Sequence, residues 1–177
     1  LEEAGIEFKL GTATKEIRNN GELVVVDTEK YGPLEFEAVL HATGRRANTE
    51  GLGLENTDIE LRPNGTIVVD EFCQTAVENV FAVGDVNGGL QFTYVSLDDF
   101  RVVNGYLHGN KEYTTADRKN VPYSTFISPA LSHVGLHKEE AEAAYPNVAV
   151  ASLPVANMPR GAVNQDPRGL FRVTVDK

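Results

Sequence analysis

Apolar and polar positions alternate roughly from Ile6 to Leu10 and from Thr12 to Ile17, and Asn19-Asn20-Gly21 supplies turn chemistry before the β-rich run Leu23-Val24-Val25-Val26. This pattern predicts antiparallel strands. Tyr31-Gly32-Pro33 marks the next turn, and Phe36, Ala38, Val39 and Leu40 lead into Ala42-Thr43-Gly44 as a strand ending at a glycine. A strand is also predicted at Ile67-Val68-Val69-Asp70 after the Asn64-Gly65 turn, and Val80-Phe81-Ala82-Val83 reads as a short buried strand stopped by Gly84-Asp85. Apolar positions Val95, Leu97, Val102, Val103 and Leu107 allow a helix between Thr93 and His108, broken by Gly109-Asn110. Strands over Pro122–Ile127 and Val134-Gly135-Leu136, a helix near Lys138–Ala144, and strands near Val148–Pro154 and Leu170–Val175 complete the chain. The opening Leu1-Glu2-Glu3-Ala4-Gly5 resembles a last helical turn closed by a C-cap glycine. The expected class is therefore α/β followed by a separate α+β portion.

Composition narrows the picture. The chain has 177 residues, 41% of them hydrophobic and 24% charged, which places it among ordinary globular sequences. No apolar run approaches the roughly 20 residues of a membrane-spanning helix. A formal charge of −10 would repel a polyanion, so nucleic acid is not an expected partner. The charge is uneven: residues 1–118 carry 21 acidic and 10 basic side chains, whereas residues 119–177 carry 5 and 6. The shift suggests a boundary near residue 118. A single cysteine, Cys73, and no signal-peptide pattern at the first residues lead to the expectation of a cytoplasmic location.

The strand, Gly84-Asp85, helix order has a chemical use. An aspartate at the carboxyl end of a strand lies where α/β folds bind ligands and can accept hydrogen bonds from sugar or polyol hydroxyls. The following helix start offers free N–H groups and about half a positive charge. The same residues also suit a plain Gly-Asp turn.

Four segments in order resemble one family. Phe81-Ala82-Val83-Gly84-Asp85-Val86 resembles the second FAD-binding motif of the pyridine nucleotide-disulfide oxidoreductases, the family of glutathione reductase, dihydrolipoamide dehydrogenase and mercuric reductase. Ala42-Thr43-Gly44-Arg45-Arg46-Ala47-Asn48, followed by Gly51-Leu52-Gly53-Leu54, is similar to the stretch that ends the family's NAD(P) domain. Gly65-Thr66-Ile67-Val68-Val69-Asp70 matches the strand before the FAD motif. Val121-Pro122-Tyr123 through Phe126, Pro129 and Val134-Gly135-Leu136 resembles the start of the dimerisation domain.

Within the family, Gln91-Phe92-Thr93-Tyr94-Val95-Ser96 resembles mercuric reductase, and Phe92–Arg101 as a whole the flavoproteins of bacterial reactive-chlorine resistance. The resemblance implies partial FAD- and NAD(P)-binding domains followed by part of an α+β dimerisation domain. Residues 1–47 would end the NAD(P)-binding domain, 48–118 would be the returning FAD segment, and 119–177 the front of the dimerisation domain. It further implies that Asp85, presented by Gly84, binds a ribityl hydroxyl of FAD, that the Thr93 backbone N–H faces the flavin C2 carbonyl, and that Gly44 lies on the NAD(P)H nicotinamide side.

The implied parent is a homodimeric flavoenzyme passing electrons from NAD(P)H through FAD and a cysteine pair to a disulfide, metal ion or other small-molecule oxidant. Alternatives are an FAD-dependent NAD(P)H oxidase, a metal reductase without a thiol substrate, or a non-catalytic dimerisation module. The family's two glycine-rich dinucleotide motifs, its CxxxxC pair and its His-Glu pair do not occur in these residues, so the sequence is expected to be a fragment inactive alone, with no catalytic residue assigned. Cys73 is expected to be structural, for want of a second thiol. His133 and His137 lack a third ligand, so no metal site is expected. His41 and His108 are taken as structural. Arg45-Arg46 suits either a phosphate or a salt bridge. Asp98-Asp99, where many relatives carry small apolar residues, reads as a solvated helix face or a dimer contact. Asn64-Gly65-Thr66 is a turn.

Overall fold

A computed structural model describes residues 1–177, which form two compact units, 1–45 and 46–177.

In the first unit, Glu2–Ala4 makes one 3₁₀ turn, and Gly5, at φ 83°, donates its N–H to the Glu2 carbonyl. A left-handed residue is needed there to close the turn, which is the role the opening pattern predicts. Three antiparallel strands follow: β1 (Thr14–Asn20), β2 (Leu23–Thr28) and β3 (Gly32–Phe36), in that spatial order. Asn20 pairs with Leu23 across the two-residue Gly21-Glu22 loop, and Gly21 takes φ 67°, as a tight hairpin demands. Central strand β2 carries the buried Val25 and Thr28. The Thr28 hydroxyl donates to the Gly32 carbonyl at 3.0 Å and accepts the Tyr31 N–H at 3.1 Å, fixing the second turn.

Two predicted strands do not form. Ile6–Leu10 stays outside the sheet, and β3 ends at Phe36, so the stretch through Ala42-Thr43-Gly44 is unpaired and Leu40 is 91% exposed. A strand exists only through ladder bonds to a neighbour. Among the residues described, these two segments have none.

The second unit begins with hairpin-like loops rather than ladders. Leu61 bridges Ile67 around Asn64-Gly65, where the Gly65 N–H meets the Arg62 carbonyl at 2.8 Å and the Asn64 Oδ1 accepts from Thr66 Oγ1 at 2.7 Å. Gln74 bridges Phe81, and the Ala82 N–H reaches the Cys73 carbonyl at 2.9 Å. The predicted strands at Ile67–Asp70 and Val80–Val83 are thus extended segments with single bridges; in the second only Ala82 is fully buried.

Helix α1 (Thr93–Leu107) has the predicted length, ending before Gly109 at φ 80°. Its buried face keeps two of the predicted apolar positions, Val95 and Val102, and adds a carboxylate. Val95, Asp99 and Val102, spaced i, i+4, i+7, point inward, whereas Leu97 and Leu107 are exposed. Phe72 and Phe81 pack against Tyr106 of this helix, with ring centroids 5.2 and 5.7 Å from it.

Beyond residue 118 come β4 (Tyr123–Thr125), β5 (Leu131–His133), α2 (Lys138–Ala144), β6 (Val148–Pro154), α3 (Pro159–Val163) and β7 (Leu170–Asp176). β4 pairs with β5, and β6 with β7, both antiparallel. The predicted strand at Val134-Gly135-Leu136 lies instead at Leu131–His133, because Gly135 at φ 83° turns the chain out of the extended region. No helix is long and apolar enough to cross a membrane.

Candidate functional site

Gly84–Asn87 forms one 3₁₀ turn between the extended Phe81–Val83 segment and α1. Gly84 is required there on two grounds: its φ is 73°, and a Cβ would lie 2.8 Å from the Ser96 Oγ. The turn therefore rests directly on the first turns of α1. Asp85 is half-buried within it, and Gly88, at φ 78°, closes it by donating its N–H to the Asp85 carbonyl at 3.2 Å.

The start of α1 is uncapped. Its N-cap residue is Phe92, with no side-chain cap hydrogen bond and no acidic residue in the first turn. The first helical bonds run from the Val95 and Ser96 N–H groups to the Phe92 carbonyl, both at 3.0 Å. This leaves the Thr93 and Tyr94 amides at the positive end of a 15-residue helix, with Thr93 exposed. Phe92 itself is fixed by parallel stacking, with Tyr94 at 5.2 Å and Tyr123 at 6.5 Å, and the Tyr94 hydroxyl donates to the Pro122 carbonyl. An acceptor-bearing turn beside an uncapped helix start suits a ligand with hydroxyl donors at one end and a carbonyl or developing anion at the other. FAD, with its ribityl chain and flavin C2 carbonyl, has that donor and acceptor order.

The turn is held from beneath by side chains whose sequence pattern points elsewhere. Asp99, expected on a solvated face or a dimer contact, is 1% exposed. Its Oδ2 accepts the Gly84 N–H at 2.8 Å and the Asn87 side-chain amide at 3.0 Å, and its Oδ1 accepts Arg118 Nη2 at 2.6 Å. Asp98 is also shielded, accepting Arg118 Nε at 2.8 Å and the Tyr113 hydroxyl at 3.0 Å. Burial alone would weaken the charge of Arg118, but its bonds to Asp99 and Asp98 outweigh that and raise its pKa. On the other flank, Arg62 Nη1 donates to the Asn87 carbonyl at 2.7 Å and the Ile67 carbonyl at 3.0 Å. The missed signal is register: Asp99 occupies the position between Val95 and Val102 that an apolar stripe would fill. An open cavity of about 350 Å³ borders Arg62, Asn87, Asp99 and Arg118; neither Asp85 nor Thr93 lines it.

Gly84, Asp85 and Thr93 are thus brought together in the second unit. Gly44 belongs to the first, exposed at φ 117°, with nothing within 4 Å of where a Cβ would stand. Cys73 is fully buried, and burial, with the nearby Asp99 charge adding and Arg118 opposing, pushes its thiol up to about 11. The His133 and His137 rings stack 3.9 Å apart; His133 Nε2 meets the Gly135 carbonyl at 2.9 Å, and no group of three metal-binding side chains gathers there or elsewhere. His41 contacts Thr43 Oγ1 at 2.6 Å, and His108 Nδ1 contacts the Asn104 carbonyl at 2.8 Å.

Helix, turn and dimerisation-type segment together define a flavoprotein disulfide reductase fold. Residues 1–99 match the family described as pyridine nucleotide-disulphide oxidoreductase, and residues 121–177 match its dimerisation domain. The chain belongs to that family, whose members are enzymes using FAD and NAD(P)H. It is 42% identical to the probable pyridine nucleotide-disulfide oxidoreductase RclA of Escherichia coli K12, over 99% of this chain and 40% of that protein. It is 32% identical to glutathione reductase of Burkholderia cepacia, over 99% of this chain and 39% of the relative. Among solved structures, the HOCl-induced flavoprotein disulfide reductase RclA from E. coli superposes with a TM-score of 0.91 at 41% identity, covering 99% of this chain and 40% of that one. The chain therefore spans about two fifths of the length of the relatives it matches.

Proposed function

We propose that this chain is the part of an FAD-dependent, NAD(P)H-oxidising enzyme that cradles the ribityl and C2 side of the flavin and begins the dimer contact. The observation that carries it is the half-buried Asp85 beside the uncapped start of α1. In this reading Asp85 accepts a hydrogen bond from a ribityl hydroxyl, and the Thr93 N–H donates to the flavin C2 carbonyl. Bound FAD supplies two-electron chemistry, taking hydride from NAD(P)H. The helix start, with about half a positive charge, offsets the negative charge that reduction leaves near that carbonyl, worth roughly 0.3–2 kcal/mol. Gly44 lies on the nicotinamide side.

The electron acceptor would be a disulfide, metal ion or related oxidant, reached through a cysteine pair outside these residues. The names glutathione reductase and mercuric reductase among the relatives support that acceptor range. Residues 119–177 contribute to a homodimer, and the enzyme works in the cytoplasm.

The test is flavin content. Full-length protein purified with bound FAD should show the yellow absorbance bands, and Asp85→Ala should lose most of the bound FAD while remaining a folded dimer by size exclusion. A full-length protein that takes up no FAD, or an Asp85→Ala variant that holds it as tightly as the parent, refutes the assignment.

A further inference from the structure

We infer that Asp99 and Arg118 are positioning residues that set the flavin-facing turn against α1; the inference rests on the reading of Asp85 and Thr93 as FAD contacts. Asp99 lies in the helix that starts with Thr93, and its Oδ2 holds the N–H of Gly84, the residue immediately before Asp85. One carboxylate therefore fixes the spacing between the two groups assigned to the flavin. The same oxygen takes the amide of Asn87, whose Oδ1 in turn accepts the Gly89 N–H at 3.0 Å, so both ends of the 3₁₀ turn are tied to one atom.

Charge and shape together call for a carboxylate. The partners around Asp99 are all donors: a backbone N–H, a side-chain amide and a guanidinium. An asparagine would turn an NH₂ group towards one of them and leave a buried donor unsatisfied. Arg118 neutralises the buried charge and is itself held by a second carboxylate, Asp98. Its segment is ordered: the Thr114 N–H donates to Asp117 Oδ2 at 2.9 Å, and the Thr115 N–H donates to the Glu71 carbonyl at 3.0 Å. Arg118 precedes the dimerisation match, which begins at residue 121. The latch thus ties the flavin-facing turn to the chain entering the dimerisation segment.

The experiment uses the full-length protein, comparing Asp99→Asn, Arg118→Lys, Asp85→Ala and the Asp85→Ala/Asp99→Asn double variant. FAD dissociation constants come from titration of the apoprotein, and visible circular dichroism of the bound flavin reports its orientation. Asp99→Asn should weaken FAD roughly ten- to a hundredfold, the range for losing bonds to a buried charged group. Arg118→Lys should weaken it less, and both should alter the flavin dichroism. In the Asp85→Ala background, Asp99→Asn should add less than about threefold, because the residue acts through the turn that carries Asp85.

Undiminished affinity in Asp99→Asn, or the same loss with and without Asp85, overturns the positioning role. Loss in neither Asp85→Ala nor Asp99→Asn instead overturns the FAD assignment itself. Should Asp99→Asn not fold, Arg118→Lys decides: wild-type affinity and dichroism in that variant overturn the proposal, and a loss of both upholds it.

Discussion

Cys73 should be nearly inert towards thiol reagents, although it belongs to a chain whose family works through cysteine chemistry. Its thiol is raised from 9.0 to about 11, first by burial and then by the Asp99 charge, with Arg118 opposing. At pH 8 that leaves about one thiolate per thousand molecules instead of about one in ten, a hundredfold deficit. Higher basicity restores about tenfold in intrinsic nucleophilicity, so ionisation alone slows the reaction roughly tenfold. Access decides the rest. The side chain is fully buried, and reaction through an opening that costs about 2–3 kcal/mol, in which the thiol regains its ordinary pKa, is slowed roughly 30- to 150-fold. Because the 177-residue chain has one cysteine, the rate of reaction with a chromogenic disulfide reports this site alone. Native protein at pH 8 should react at least about thirtyfold more slowly than protein in denaturant. The same shift bears on stability. The folded pKa lies above the unfolded one, so the neutral thiol's contribution is complete below pH 9 and is lost as pH rises from 9 towards 11. The loss amounts to about 2–3 kcal/mol, and Cys73→Ala should remove that part of the alkaline decline. Labelling within tenfold of the unfolded rate, or an alkaline stability profile unchanged by Cys73→Ala, would refute the reasoning.

Two further predictions test other features. Gly84→Ala forces a Cβ towards the Ser96 hydroxyl at a φ of 73°, and should lower stability by about 1–3 kcal/mol, read from denaturant unfolding; an unshifted midpoint counts against the close approach. Asp166 receives Arg168 at 2.8 Å through both Nε and Nη2, and these hydrogen bonds lower its pKa to about 2. Its stabilising effect is therefore complete above its ordinary value of 3.8 and lost as pH falls towards 2. Carboxyl NMR titration should show that depressed value, and Arg168→Gln should raise it part of the way towards the usual aspartate range, because the backbone N–H of residue 168 still donates to Asp166 Oδ1.

Most local structure is legible in the chain because its causes are local. The Asn19-Asn20-Gly21 turn, the helix from Thr93, the Ala- and Glu-rich helix α2 and the alternating β6 and β7 all form where their patterns place them. So does the Gly84-Asp85 turn before a helix, since a left-handed glycine and a helix start are written in adjacent residues. What fails depends on distant partners. Ile6–Leu10 and the approach to Gly44 have strand-like composition yet no strand beside them, and composition cannot supply ladder bonds. Helix α3 escapes prediction because five residues are too few for a helical period to stand out.

Sequence by itself determined the family, through motif order, and named the residues proposed here as flavin contacts: a carboxylate at Asp85 and a backbone amide at Thr93. Tertiary structure alone decided the burial and the partners of Asp99. A polar residue on an amphipathic helix is assigned to solvent by default, because burying an unpaired carboxylate is costly. Gly84, Asn87 and Arg118, which lie 12 to 19 residues away along the chain, supply the donors that remove that cost, and only folding brings them together.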